Sequence, residues 1–241
     1  MSNAHLKANV NKFSEDAASS GSYAYTTERL SAKLANLRIS RAFDELYPCR
    51  GKRILDMGCG DGTYTLELAR AGAVDVLGVD PAEAAVETAR RKAEEAGLGN
   101  VRFMSGNIYD LDIGERFDCT VLRGVLHHLP DAGLAIMKLA PLSDCMLLME
   151  PNGTNPVVKL IEKTSRYHIE HEEQSFLLST LTGWFEAAGM RLESVRHVNL
   201  VPMFCPDWMA RLCKIVEPLV ESLPVVRNFC CGQYIILAGK R

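Results

Sequence analysis

The chain has 241 residues, a formal net charge of −3, 47% hydrophobic and 24% charged residues, the balance of an ordinary soluble protein of one domain with a cap or small appendage. That charge gives no basic face for nucleic acid; no apolar run approaches the roughly 20 residues of a membrane-spanning helix, and no signal peptide is visible. None of the cysteines forms a Cys-x-x-Cys pair and several lie inside apolar runs, which fits small core hydrophobes in a reduced, cytoplasmic setting.

Residues 1–4, Met-Ser-Asn-Ala, read as a vector-derived remnant, and Asn11–Ser22 is small and polar. Thr27–Leu46 then carries Leu30, Leu34, Leu37, Ile39, Ala42, Phe43 and Leu46 at helical intervals, and Pro48 and Gly51 end the segment. Residues 1–50 are therefore expected to form a helical lead-in that folds over the main domain, 51–241.

That domain starts with Ile-Leu-Asp-Met-Gly-Cys-Gly-Asp-Gly at Ile54–Gly62. An apolar run closes on Asp56, and Gly58, Gly60 and Gly62 follow at alternate positions. Glycine lets main chain approach a ligand with no Cβ in the way, and a strand-to-helix turn leaves N–H groups unpaired to face it. The dinucleotide fingerprint needs a third glycine three positions after the second, where this chain has Thr63. The carboxylate two residues before the first glycine suits a cationic group and would repel a pyrophosphate.

From Lys52 the pattern alternates: strand 52–57, helix 62–71 stopping at Gly72, strand 74–79, Asp80-Pro81, helix 82–96 stopping at Gly97, strand 101–105, strand 117–122, helix 131–140 and strand 143–149. Repeated βα units of this length imply an α/β fold, a parallel sheet with helices on both faces. The beat then breaks twice, with insertions at about 151–173 and 206–228 around helix 176–188 and strand 191–201, before a last strand near 232–238.

Along this framework Asp80 closes the second strand, Asn107-Ile108 follows the third, and Arg123-Gly124-Val125-Leu126-His127-His128-Leu129 follows the fourth. Together with the glycine turn, this order resembles the class I S-adenosylmethionine-dependent methyltransferases over about 50–200 and the final strand. The first 45 residues and both insertions fall outside the resemblance. The resemblance implies a doubly wound, seven-stranded, mostly parallel Rossmann-like sheet with S-adenosyl-L-methionine as cofactor. Asp56, Gly58, Cys59, Gly60 and Asp61 would wrap the methionine part, and Asp80 would hold the ribose. Pro81, Asn107 and Ile108 would meet the adenine, and Arg123 would touch the cofactor or hold its turn. Two of these readings stay open. Asp80 is also well placed to cap the helix after Pro81, and Asn107, where the family usually has Asp, also suits a turn.

Methyl transfer from a sulfonium is a direct displacement, so positioning is the main requirement and a base is needed only for an acceptor that must lose a proton. Candidates are His128 of the His-His-Leu turn, Glu150 closing the fifth strand, and His168 and His171 in the run Ser165–Glu173. The last two would share a helical face and with Glu172 or Glu173 could instead hold a metal or simply cap the following helix. Tyr25, with Tyr23 and Arg29, could close over the cofactor. In 206–223, Trp208, Leu212, Ile215, Val216, Leu219, Val220 and Leu223 share one helical side. That side is expected to pack on the sheet or a dimer partner; peripheral membrane contact is the other reading, and the polar side is not basic as a membrane helix would want.

The expectation is an enzyme that methylates a small molecule, oxygen before nitrogen or carbon, as monomer or homodimer, with no resident metal and no nucleic-acid partner. A cofactor-binding protein without activity and an NAD-dependent oxidoreductase are the alternatives, the second opposed by Thr63.

Overall fold

Seven strands form one sheet in the computed structural model, which describes residues 28–165 and 174–241. In chain order they are β1 (Arg53–Met57), β2 (Asp75–Asp80), β3 (Val101–Ser105), β4 (Phe117–Arg123), β5 (Ser143–Pro151), β6 (Met190–Val198) and β7 (Gln233–Lys240). Across the sheet the order is β3-β2-β1-β4-β5-β7-β6, with β7 antiparallel to both neighbours. The order reverses between β1 and β4, and in open α/β sheets ligands bind outside the carboxyl ends of the strands at that point.

The helices are α1 (Leu30–Leu46), α2 (Thr63–Arg70), α3 (Glu83–Glu95), α4 (Ala132–Leu139), α5 (Pro156–Thr164), α6 (Leu178–Ala187), α7 (Asp207–Ser222) and α8 (Pro224–Cys230). Successive strand residues point to opposite faces, and both faces are covered. Ile54, Val76, Val121, Leu147 and Ile235 bury against Ile39, Ala42 and Phe43 of α1. Leu55, Leu77, Leu122, Leu148 and Tyr234 bury against Ile136 and Leu139 of α4 and Leu181 and Phe185 of α6. The lead-in helix α1 thus shares the sheet's own core, and the packing has no seam at residue 50.

Two boundaries differ from the sequence expectation. The strand expected to run to 201 ends at Val198, because Asn199 turns the chain with a left-handed φ of 70°, a conformation asparagine tolerates better than most residues. The stretch 206–228 is two helices, since Pro224 opens α8 at the first-turn position that proline suits.

Helix α7 corrects the expected sheet packing. Its apolar side faces outward: Trp208 is 69% exposed, Leu212 54%, Ile215 76% and Leu219 63%. Two of its carboxylates, Glu217 and Glu221, face inward. Glu217 is buried, pairs with Lys214 and accepts from Leu200 N at 3.2 Å. Glu221 accepts from Asn199 N at 3.0 Å and from Arg38 of α1 through Nε and Nη2, at 3.0 and 2.6 Å. The chain reversal after β6 exposes backbone N–H groups that need acceptors, and α7 supplies them from its acidic side. No described helix is long and apolar enough to cross a membrane.

Candidate functional site

The turn after β1 sets one wall of the crevice. Gly58, Gly60 and Gly62 have φ of 77°, 52° and 75°, the left-handed region that favours glycine. Gly58 and Cys59 donate to Val79 O at 2.7 and 3.1 Å, tying the turn to β2. A Cβ on Gly58 would stand 2.5 Å from Val125 Cγ2, so the glycine turn and the turn after β4 are in close contact.

Asp56, one residue before the end of β1, is buried and accepts from Thr65 Oγ1 at 2.6 Å. Burial pushes its carboxyl up to about 6 and the nearby Asp80 adds to the rise, while the Thr65 bond and the charge of Arg123 pull against it. An added cation in the crevice would favour the ionised form.

Asp80 serves the backbone with both oxygens, accepting from Gly60 N and Ala82 N at 2.9 Å each. Helix capping and the hold on the glycine turn coexist here, and each carboxylate oxygen has a second acceptor site for a hydroxyl. Burial raises its pKa. Pro81 stands exposed at the rim while Ile108 is buried with Val79 in the core, and Asn107 Oδ1 accepts from Tyr109 N at 3.0 Å in a turn.

Three expected cofactor residues are placed differently by their partners. Asp61 is buried against α3, receiving Lys92 Nζ at 2.7 Å and Thr63 N at 3.1 Å, so its carboxylate locks the turn from behind and does not line the crevice. Cys59 packs its side chain with Leu66, Val86 and Phe103, leaving its backbone as the part a ligand could meet. Arg123 crosses to α1, giving Nη1 to Ser40 Oγ at 2.9 Å and Nη2 to Asn36 O at 3.1 Å, with its guanidinium 3.5 Å over the Tyr64 ring. It joins α1 to the crevice, and burial lowers its pKa.

The other wall is the turn Leu126–His128 after β4. Glu150, fully buried at the end of β5, accepts from Val125 N at 3.2 Å and Leu126 N at 2.8 Å with one oxygen and meets His127 Nδ1 at 2.8 Å with the other. Its carboxylate is thereby committed to the turn and to His127, which corrects its expected role as a base on the acceptor. His127, 6% exposed, rather than His128, holds this partnership; the His128 ring leans on it at 4.0 Å. Two adjacent histidines look alike in sequence, and only a carboxylate at the end of the neighbouring strand distinguishes the first. Tyr25, His168 and His171 lie outside the described residues, and no group of three metal-ligating side chains occurs among the described ones.

Residues 54–141 match the sequence pattern of the Methyltransferase domain family. The ubiquinone biosynthesis O-methyltransferase of Azorhizobium caulinodans is 40% identical over 109 residues, 45% of this chain and 40% of that one. The chain thus spans less than half the length of that relative. The enzyme of the same name from Coxiella burnetii is 30% identical over 171 residues, 64% of this chain and 70% of that one. In fold, the chain is similar to magnesium protoporphyrin IX methyltransferase from Synechocystis PCC 6803, solved with bound S-adenosylhomocysteine, at a TM-score of 0.63 and 20% identity over 89% of each chain.

Proposed function

The chain belongs to the class I S-adenosylmethionine-dependent methyltransferases, and from that premise we propose that it methylates an oxygen of a small-molecule acceptor with His127 as general base. The observation that carries this reading is the buried His127–Glu150 pair at the carboxyl ends of β4 and β5, with Nδ1 and Oε2 at 2.8 Å. The names of the relatives, both O-methyltransferases, support the same acceptor atom.

The residues present fit the cofactor. Three left-handed glycines turn the main chain tightly there, with Gly58 against Val125 and Gly62 against Ala89, and Asp56 puts a buried carboxylate beside them. In the proposed pose Asp56 faces the ammonium end, Asp80 the ribose, and Pro81 and Asn107 the adenine. When bound, S-adenosylmethionine supplies an electrophilic methyl group on a sulfonium.

The chain's own contribution follows from the dyad. With Nδ1–H donating to Glu150, the neutral imidazole keeps its lone pair on Nε2. That nitrogen accepts the proton of the acceptor hydroxyl as the oxygen becomes the nucleophile, and Glu150 stabilises the imidazolium that results. Glu150 also fixes the turn through two backbone N–H groups, so base and turn are oriented by one carboxylate.

Replacing His127 tests this directly. His127→Ala is expected to lower kcat by about 10²–10⁴ while calorimetric affinity for S-adenosylhomocysteine stays within about twofold of the parent. Glu150→Gln should give a smaller loss in kcat. Undiminished turnover of His127→Ala across pH 6–9, on small hydroxyl-bearing acceptors that the parent protein methylates, would remove the base from this mechanism.

A further inference from the structure

Helix α7 is held to the body by its polar side and presents its apolar side to water, the reverse of the usual arrangement. On that outer side Trp208, Leu212, Ile215 and Leu219 stand four, three and four residues apart. Such spacing draws a narrow line along a helix, the seam that packs into a second helix. The buried residues of α7, Ala210 and Glu217, lie on the opposite side. Leu223 and Val225 follow in the chain, both exposed. These six residues leave on the order of 700 Å² in water, more than the ~300–600 Å² of the largest apolar patch on a typical monomer. Each partner of a standard interface buries about 800 Å², so two such faces supply nearly a whole one.

Charge narrows the choice of partner. Glu217 and Glu221 are turned inward and neutralised there by Lys214 and Arg38. The exposed charges of α7 are then one acid and one base, Asp207 and Arg211. A helix that lies on a membrane carries a polar face rich in Lys and Arg, and this one turns carboxylates to that side. Its seam has no net charge with which to steer an oppositely charged partner. A second copy of the same seam meets it with no charge left unpaired.

From this we propose that two copies of the chain pair through α7. The two helices lie antiparallel across a two-fold axis, with Trp208 of one copy against Leu219 of the other and Leu212 against Ile215. One register satisfies both contacts, as an isologous interface requires, and antiparallel helices also oppose their dipoles favourably. The pair forms by mass action, so dilution returns the monomer with its seam in water. None of this depends on the methyltransferase reading.

Sedimentation equilibrium of the full chain over about 1–200 µM tests the pairing. The weight-average mass is expected to climb from 26.6 kDa toward twice that value. Ile215→Glu sets a carboxylate on each copy beside the axis and should hold the mass at the monomer value throughout, as should Leu212→Glu. Met137→Glu, a charge at another exposed apolar site, on α4, should pair like the parent. Both α7 positions are exposed in the monomer, so urea midpoints of their variants at the lowest concentration should match the parent's. A parent chain that keeps the monomer mass at every concentration overturns the pairing, whether or not it floats with phosphatidylcholine vesicles. So does an Ile215→Glu variant that still doubles, or a Met137→Glu variant that fails to.

Discussion

Around β1 and β2 the polar groups facing the crevice are fixed by the turns and helix start next to them, whereas beyond β5 they are fixed by partners far along the chain. Asp80 takes the N–H groups of Gly60 and Ala82, residues close to it in the turns it joins. At the other end Asn152 donates to Asn228 O and Cys231 O, and Glu221 of α7 grips Arg38 of α1. The first half is built from local geometry that one cofactor demands. The second is built from long-range pairs that hold two insertions in place, and insertions are where acceptor preference can vary without disturbing the cofactor.

This contrast breaks first at Glu221. Glu221→Ala strips Arg38 of a bidentate partner when both side chains are about 15% exposed, and removing one member of such a pair costs about 3 kcal/mol. Urea denaturation should show a loss of that size, with acceptor KM raised more than the S-adenosylhomocysteine Kd. Equal losses in both would mean that the two halves are one cooperative unit.

On the cofactor side the sharpest substitution is Gly62→Ala. A Cβ there would meet Ala89 Cβ at 2.7 Å and Ala89 Cα at 3.1 Å, backbone of α3 that has little room to move, at a φ of 75°. Strain of this kind costs about 2 kcal/mol, and calorimetric affinity for S-adenosylhomocysteine should fall at least tenfold.

A pH titration separates the halves without mutation. Asp56 titrates near 6 in the folded chain, above the usual carboxylate value of about 3.9. The folded state therefore binds more protons than the unfolded one between those values, so this group makes stability fall as pH rises through about 4 to 6. Cofactor affinity moves the opposite way, because the proposed ammonium contact needs the ionised carboxylate. Calorimetry from pH 5 to 8 should show S-adenosylhomocysteine affinity level above about 6.5 and dropping up to tenfold per unit below 6. A flat profile would take Asp56 out of contact with the ammonium.

The same division explains what was legible in the chain. Glycine spacing, the acid closing each early strand and the βα beat reflect backbone requirements, and backbone requirements leave residue-type signatures; the sheet, its crevice and the family followed from them. Asp61 looked like part of that signature, but Lys92, far along the chain, claims its carboxylate. His127 and His128 are equivalent until β5 sets Glu150 beside one of them.

The direction in which α7 faces was hidden for the same reason, and it gives the smallest expected effect. The periodic apolar stripe fixed that 207–222 would be helical, but periodicity alone does not say which side is inward. Because Ile215 is 76% exposed, Ile215→Ser removes little buried area, and the change in folding stability should stay within about 0.5 kcal/mol. At Leu181, fully buried in the sheet's other face, a cut to alanine should cost about 2–5 kcal/mol. Denaturation midpoints of the two variants, measured side by side at low protein concentration, check the orientation. A loss at Ile215 as large as that at Leu181 would mean that the stripe is covered in solution, and that the carboxylates of α7 are inward for a reason other than the N–H groups after β6.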